Sequence, residues 1–319
     1  MILFCNLLQL WRPALNSDKT LRKAMPSIAD FFELGSVAKI ENAPLSANAN
    51  FFVRTDKGHF FVKINLEPHT LANKLSEETY IKHLVGYRIP VTPYLLGKNG
   101  SAVFEDGKIM AMVQNIVPGS NPRIKISSVT QIGSFLGKLS LVPFINLPYR
   151  YGWLSPEYIE KNLVKLNGDF RGNADVRRIL SIYDSCRDFE KIVLPCLPKS
   201  IIHGDGHSEN VIFQDERLVA FVDWEDSTVA PSLLDFVSSA AYWCFEDGRI
   251  RPKLYKAFYT SYTDERPLTE LECNHLEDCM KYVGAIQTMW RFINYGHRNR
   301  YDALWGLKLC DWRAPVFTF

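Results

Sequence analysis

Paired cysteines are missing from this chain. Its seven cysteines (Cys5, Cys186, Cys196, Cys244, Cys273, Cys279 and Cys310) are scattered, and none forms a C-x-x-C pair. That excludes a zinc ribbon and a disulfide framework, and points to a reducing, cytoplasmic setting. The Cys273, His275 and Cys279 group lacks zinc-ligand spacing and is discounted. An excess of charge is also missing. A formal net charge of +2 over 319 residues gives no basis for a dedicated nucleic-acid binder. No stretch has the length of a membrane span. The apolar start, Met1 to Trp11, has neither the basic n-region nor the small-residue cleavage site of a signal peptide. A docking strand or helix, or a frayed extension, is expected there. Repeats and low-complexity tracts are absent too.

What remains is ordinary globular composition, 47% hydrophobic and 23% charged, in a chain long enough for two lobes. From Phe31 to Val117 the pattern is rich in strands. Val37–Ile40, Asn50–Arg54 and His59–Ile64 read as three strands, the last two joined by an Asp56-Lys57-Gly58 turn. Helical spacing runs from about Pro68 to Tyr87, with Leu71, Leu75, Ile81, Leu84 and Val85 expected on one side. Ala102–Phe104 and Ile109–Val113 read as two more strands around an Glu105–Lys108 turn. Pro118-Gly119-Ser120-Asn121-Pro122 then punctuates the chain as a linker. Beyond it the pattern is mostly helical: Val129–Leu141, Glu157–Leu166, Ala174–Ile192, Ser232–Cys244, Pro252–Tyr262 and Leu268–Tyr295.

Two short strand regions interrupt that helical run, and they carry the chemistry. His203-Gly204-Asp205 is followed five positions later by Asn210, and Asp223 comes one strand further on, after Leu218–Val222. An acid, an amide oxygen and a second carboxylate in this order suit phosphoryl transfer. One orients a hydroxyl while the other two hold a divalent cation on phosphates. Lys63 ends an F-V-K-I strand, where a nucleotide-contacting lysine sits in kinases, and Glu77 or Glu78 on the next helix could hold it. The histidines His203 and His207 are not an H-E-x-x-H pair. His203 is expected to bond the loop backbone, and Asp235 to brace it.

These residues, with Ile89-Pro90-Val91 and Pro231–Phe236, resemble the aminoglycoside/choline/homoserine kinase family of small-molecule phosphotransferases. The resemblance covers about Phe31 to Cys244. It implies an α+β, two-lobed protein-kinase-like fold, with a small antiparallel β-sheet lobe carrying one main helix and a larger, mostly helical lobe. Residues 1–25 would be an N-terminal extension, 26–118 a β-rich nucleotide-binding lobe, and 119–319 a catalytic and substrate-binding lobe. Counting back from Pro90 in the family's register favours Glu77 over Glu78.

By the same resemblance Asp205 is the catalytic base, Asn210 and Asp223 bind Mg²⁺, and Lys63 with Glu77 clamps ATP. Gln114, Asn115 and Ile116 would face adenine through backbone groups. The Ser46–Asn50 segment, with Ser46, Asn48 and Asn50, would take the place of the phosphate loop. That segment has no glycine, and Gly206-His207 stands where a Leu or Phe followed by His or Arg is frequent. The partner implied is a small-molecule hydroxyl substrate, with no nucleic acid and no membrane.

The acceptor is expected to be homoserine or a similar amino alcohol. The alternatives are an aminoglycoside-type antibiotic kinase and a catalytically silent nucleotide-binding protein on the same fold. A protein-substrate kinase is disfavoured, because D-F-G, A-P-E and an activation loop are all missing. In the basic, aromatic tail from Trp290 to Trp312, packing is the plain reading. One of Arg291, Arg298 and Arg300 pairing with a substrate carboxylate or phosphate is the sharper one.

Overall fold

A computed structural model describes residues 16–43, 48–65, 71–107, 109–144, 147, 148, 150, 154, 156–170, 172–246, 248–295 and 304–313. The chain divides into two compact units, Met1–Pro118 and Gly119–Phe319. Among the described residues, no helix is long and apolar enough to cross a membrane.

The first unit is built on an antiparallel sheet of β1 (Val37–Asn42), β2 (Ala49–Thr55), β3 (His59–Asn65), β4 (Phe104–Asp106) and β5 (Ile109–Asn115). Its order is β1-β2-β3-β5-β4. Side chains alternate across a strand, and here the alternation separates core from chemistry. Phe51, Val53, Phe60, Val62, Ile64 and Val113 form one apolar face. Lys63, which pairs across the ladder with Asn50 and Met112, falls on the other.

Helix α1 (Asn16–Phe31) covers the apolar face. Leu21, Met25, Ile28 and Phe32 recur at helical spacing and are buried in the same cluster as the sheet residues. The helix runs through residue 25, where the extension was expected to end. Pro26 reads as a break in sequence because it removes one backbone donor, yet the buried stripe continues past it. Met25 is fully buried, so Met25→Ala is expected to cost about 2–5 kcal/mol, read as a lowered urea midpoint.

Helix α2 (Leu71–Gly86) departs from its expected face. Leu71, Leu75 and Val85 are exposed, whereas Lys74, Glu77, Tyr80, Ile81 and Leu84 are buried. Ile81 and Leu84 lie inward as expected, but an apolar count alone misplaced the other three, because the inward face carries an ion pair.

The second unit is mostly helical: α3 (Ile126–Ser140), α4 (Pro156–Asp169), α5 (Ala174–Asp184), α6 (Ser232–Cys244), α7 (Pro252–Glu265), α8 (Glu270–Asn274) and α9 (Leu276–Tyr295). Two sequence-predicted helices are broken. Ala174–Ile192 gives way after Asp184 to a turn and a π-helical segment, Phe189–Val193. Leu268–Tyr295 divides at His275, which ends α8, a short helix opened by a Thr269–Glu272 capping box.

Two small antiparallel ladders position the loops. They pair β6 (Lys199–Ile202) with β9 (Thr228–Pro231), and β7 (Val211–Gln214) with β8 (Arg217–Phe221). The 203–210 segment links β6 to β7, and the 222–227 segment links β8 to β9. Because β6 pairs with β9 and β7 with β8, the two linking segments must run side by side.

Candidate active site

Backbone bonds join the two loops directly. The Val222 N–H donates to the Asn210 carbonyl at 2.9 Å. His203 Nε2 donates to the Val222 carbonyl at 3.0 Å, while its Nδ1 accepts the Asp205 N–H at 3.2 Å. That pair of roles requires the neutral Nε2–H tautomer. Burial enforces it, pushing His203 down to about 4 from 6.5. Asp235, as expected, braces the same turn. Its carboxylate accepts the N–H groups of His203 (2.8 Å) and Gly204 (3.0 Å). Gly204 has φ +84°, and a Cβ there would meet the Asp226 carbonyl at 2.8 Å, so the turn takes glycine on both counts.

A pH dependence follows. Unfolded His203 takes up a proton below its ordinary value of 6.5, but the folded residue does so only near 4. Its neutral form therefore contributes full stability above pH 6.5, and that contribution is lost as the pH falls towards 4, amounting to roughly 2 kcal/mol between pH 7 and 5. Asp235 is raised by burial to about 6 and runs the other way, losing stability as the pH rises through 6. Comparing wild type with His203→Gln isolates the histidine part. Urea unfolding should show the smaller acid loss in the variant.

Asp205 is half-buried and doubly held on one oxygen. Asn210 Nδ2 donates to its Oδ2 at 3.0 Å and to its carbonyl at 2.9 Å. His207 Nε2 lies 3.1 Å from the same Oδ2. Burial alone would raise the Asp205 pKa, but the His207 charge and hydrogen bond outweigh it and hold the carboxyl below its usual range. Burial likewise disfavours a charged His207, and Asp205 overcomes it, raising the imidazole. The two shifts agree on an ion pair. The Asn210 and His207 contacts with the Asp205 carboxylate both use Oδ2, and both Asn210 bonds use its amide nitrogen.

Asp223 has φ 63° and ψ 64°, a left-handed conformation that is uncommon outside glycine and clusters at functional positions. The next turn is secured by Arg150, a buried residue that no sequence pattern singled out. Its Nη1 donates to the carbonyls of Trp224 and Ser227, both at 2.9 Å. Its Nη2 donates to that of Glu225 at 3.0 Å. Asn121, read from sequence only as linker, donates to the carbonyls of Ser208, Glu209 and Val211. Both residues act through backbone partners far along the chain, which leave no mark in sequence. Gly206 has a local cause: a Cβ there would stand 2.4 Å from Ser239 Oγ. A larger residue at this place in the loop would displace that serine.

In the first unit, Lys63 is buried on β3. Glu77 is fully buried, with Lys74 Nζ at 3.1 Å from Oε2 and the Tyr94 hydroxyl donating to Oε1. Glu78 instead pairs with the exposed Lys82 one turn on. Lys74 was missed because a lysine inside an apolar stripe reads as an error in the stripe. Asn48 is buried and accepts the Asn65 side-chain amide at 2.9 Å. Asn50 sits opposite Lys63 in the ladder, and Ser46 lies outside the described residues. Gln114 is tied through Nε2 to the Thr92 carbonyl at 2.6 Å, while Asn115 and Ile116 are exposed at the end of β5.

Known proteins resemble this chain over most of its length. A homoserine kinase from Polaromonas naphthalenivorans is 25% identical over 288 residues, covering 82% of this chain and 85% of that one. A homoserine kinase from Pseudomonas aeruginosa is 30% identical over 82 residues, and that match spans about a quarter of each chain (25% and 26%). Among solved structures, an amicoumacin kinase in complex with AMP-PNP and Ca²⁺ is similar over 93% of this chain and 96% of that one, at TM-score 0.74 and 15% identity. A microcompartment-associated aminopropanol kinase is similar over 91% and 95%, at TM-score 0.71 and 14% identity. These likenesses show the fold to be the two-part, kinase-like α+β architecture of such phosphotransferases. The profile of the phosphotransferase enzyme family matches residues 41–271, well over half of the sequence, and the chain therefore belongs to the phosphotransferase enzyme family.

Proposed function

We propose that the chain transfers the γ-phosphoryl group of ATP to a hydroxyl of a small metabolite, in a Mg²⁺-dependent reaction. Homoserine or a similar amino alcohol is the proposed acceptor. The observation that carries this reading is the bonding of the two loops, which puts Asp205, Asn210 and Asp223 on adjacent backbone segments. Asp205 would orient the acceptor hydroxyl through Oδ1. Its lowered pKa makes it a weak base, suited to taking the proton late in a loose transition state.

The donor set fits magnesium. Among the described residues no cluster of three or more His, Cys, Asp or Glu could hold a metal. One amide oxygen and one carboxylate, from Asn210 and Asp223, suit a hard cation that completes its shell with phosphate oxygens and water. Such an ion supplies charge neutralisation on the transferring phosphates. Lys63 would contact the nucleotide phosphates, with Glu77 holding the lysine. Asn115 and Ile116, at the exposed end of β5, would face adenine through backbone groups, beside Gln114, which is engaged through its side chain with Thr92 and in the sheet with Phe61 and Tyr94. Asn48 and Asn50 belong to the proposed phosphate-covering segment, Ser46–Asn50.

A coupled ATP-consumption screen over amino-acid alcohols, sugars, choline-like amines and aminoglycosides tests the reading. Mg²⁺-dependent turnover with an amino-acid alcohol is the expected result. Turnover confined to aminoglycosides would support an antibiotic kinase, and nucleotide binding without any acceptor-dependent turnover would support a silent protein on this fold.

A further inference from the structure

Two residues beyond Lys63, β3 ends on Asn65, a polar residue that the phosphotransfer reading leaves without a role. Alternation along the strand puts Lys63 and Asn65 on one face of the sheet and Val62 and Ile64 on the other. Val62 and Ile64 lie in the apolar core. The same face continues across the hairpin. Asn50 stands opposite Lys63 and Ala49 opposite Ile64, so the next position brings Asn48 opposite Asn65. The contact is made. Asn65 Nδ2 donates to Asn48 Oδ1 at 2.9 Å, and both residues are buried. Asn48 belongs to the segment Ser46–Asn50, which has no glycine.

Distance along β3 fixes the place of this pair. Phe60 and Phe61 pair with Asn115 and Gln114, the end proposed to face adenine. Strand residues rise about 3.3 Å each, which puts Lys63 roughly 7 Å and Asn65 roughly 13 Å beyond Phe61. A nucleotide lying along the strand, with its base at that end, passes Lys63 first and reaches Asn65 with its last phosphate. Asn65 Oδ1 is buried without a hydrogen-bond partner in the protein. A buried acceptor of that kind is costly, and only a donor satisfies it. Water on a cation that travels with the terminal phosphates is such a donor.

We propose that Asn65 is a positioning residue of the nucleotide site. By holding Asn48 it sets the glycine-free segment over the terminal phosphate, so that the site discriminates nucleotides by their number of phosphates. The inference rests on the phosphotransfer reading and adds to it a residue and a selectivity for the triphosphate.

The test is calorimetric binding of AMP, ADP and AMP-PNP, each with Mg²⁺, to the full chain and to two variants. Asn65→Leu removes the donor with little change in size. It is expected to weaken AMP-PNP about tenfold and AMP by less than about twofold, with ADP between. Asn65→Asp keeps the shape and can still pair with Asn48 once the Asn48 amide turns over, so it gives the reading even where the leucine variant unfolds. Its added negative charge should produce the same order, with AMP-PNP losing most. A role confined to holding the sheet together would weaken all three nucleotides alike.

Equal losses for the three nucleotides, or an AMP-PNP affinity that neither variant changes, overturn the inference and leave the phosphotransfer reading in place. Graded losses in a chain that phosphorylates no alcohol would keep Asn65 in the nucleotide site and remove the transfer reading. If the wild type binds none of the three nucleotides, both fall.

Discussion

Asp205→Asn is expected to lower the turnover number about a thousandfold while leaving ATP affinity within a few-fold. The substitution is conservative in shape. An amide can still accept the Asn210 Nδ2–H and still meet His207, so the loop should keep its fold. What it loses is the negative charge that orients the acceptor hydroxyl and receives its proton. Because phosphoryl transfer relies on positioning and charge rather than covalent chemistry by the protein, the effect should appear in kcat, with little change in acceptor KM. Titration with a fluorescent ATP analogue, alongside the steady-state assay, separates the two. A variant that turns over normally would remove Asp205 from the chemistry.

Asp223→Asn is expected to cost about a hundredfold or more in rate at ordinary Mg²⁺ concentrations, with partial recovery as Mg²⁺ is raised. The choice of asparagine matters because residue 223 has φ 63°. Asparagine tolerates left-handed backbone, whereas alanine would add roughly 1 kcal/mol or more of strain. The asparagine variant thus changes charge without changing the turn. The nucleotide's apparent affinity should lose its dependence on Mg²⁺. If nucleotide affinity and its metal dependence were both unaltered, Asp223 would not be a ligand.

Much of this was legible in the sequence, for identifiable physical reasons. The spacing of Asp205, Asn210 and Asp223 is local, set by one short loop and one hairpin, so linear order and spatial order coincide. Strand β2 alternates with a period of two, and β1, β3 and β5 are short apolar-rich runs bounded by turn residues. Helix α6 was read with both ends correct, because Pro231 marks its start and its apolar spacing runs on to Cys244.

The misses have the opposite character. Helix α1 falls largely in what was expected to be an extension, and its stripe packed on the sheet outweighs the cost of Pro26. The buried face of α2 is partly charged, with Lys74 and Glu77 paired inside, so apolar periodicity placed Ile81 and Leu84 correctly and Leu71, Leu75 and Val85 wrongly. Arg150 and Asn121 hold the site through backbone carbonyls. Any residue type supplies a carbonyl, so no pattern could have pointed to them.

The most direct measurement is mass spectrometry of the acceptor after incubation with ATP and Mg²⁺, with wild type and Asp205→Asn side by side. L-homoserine gaining one phosphoryl group with the wild type, and at least about a hundredfold less with the variant, is the expected result. Equal product from both proteins, or no phosphorylated alcohol from the wild type with any acceptor class, would contradict it.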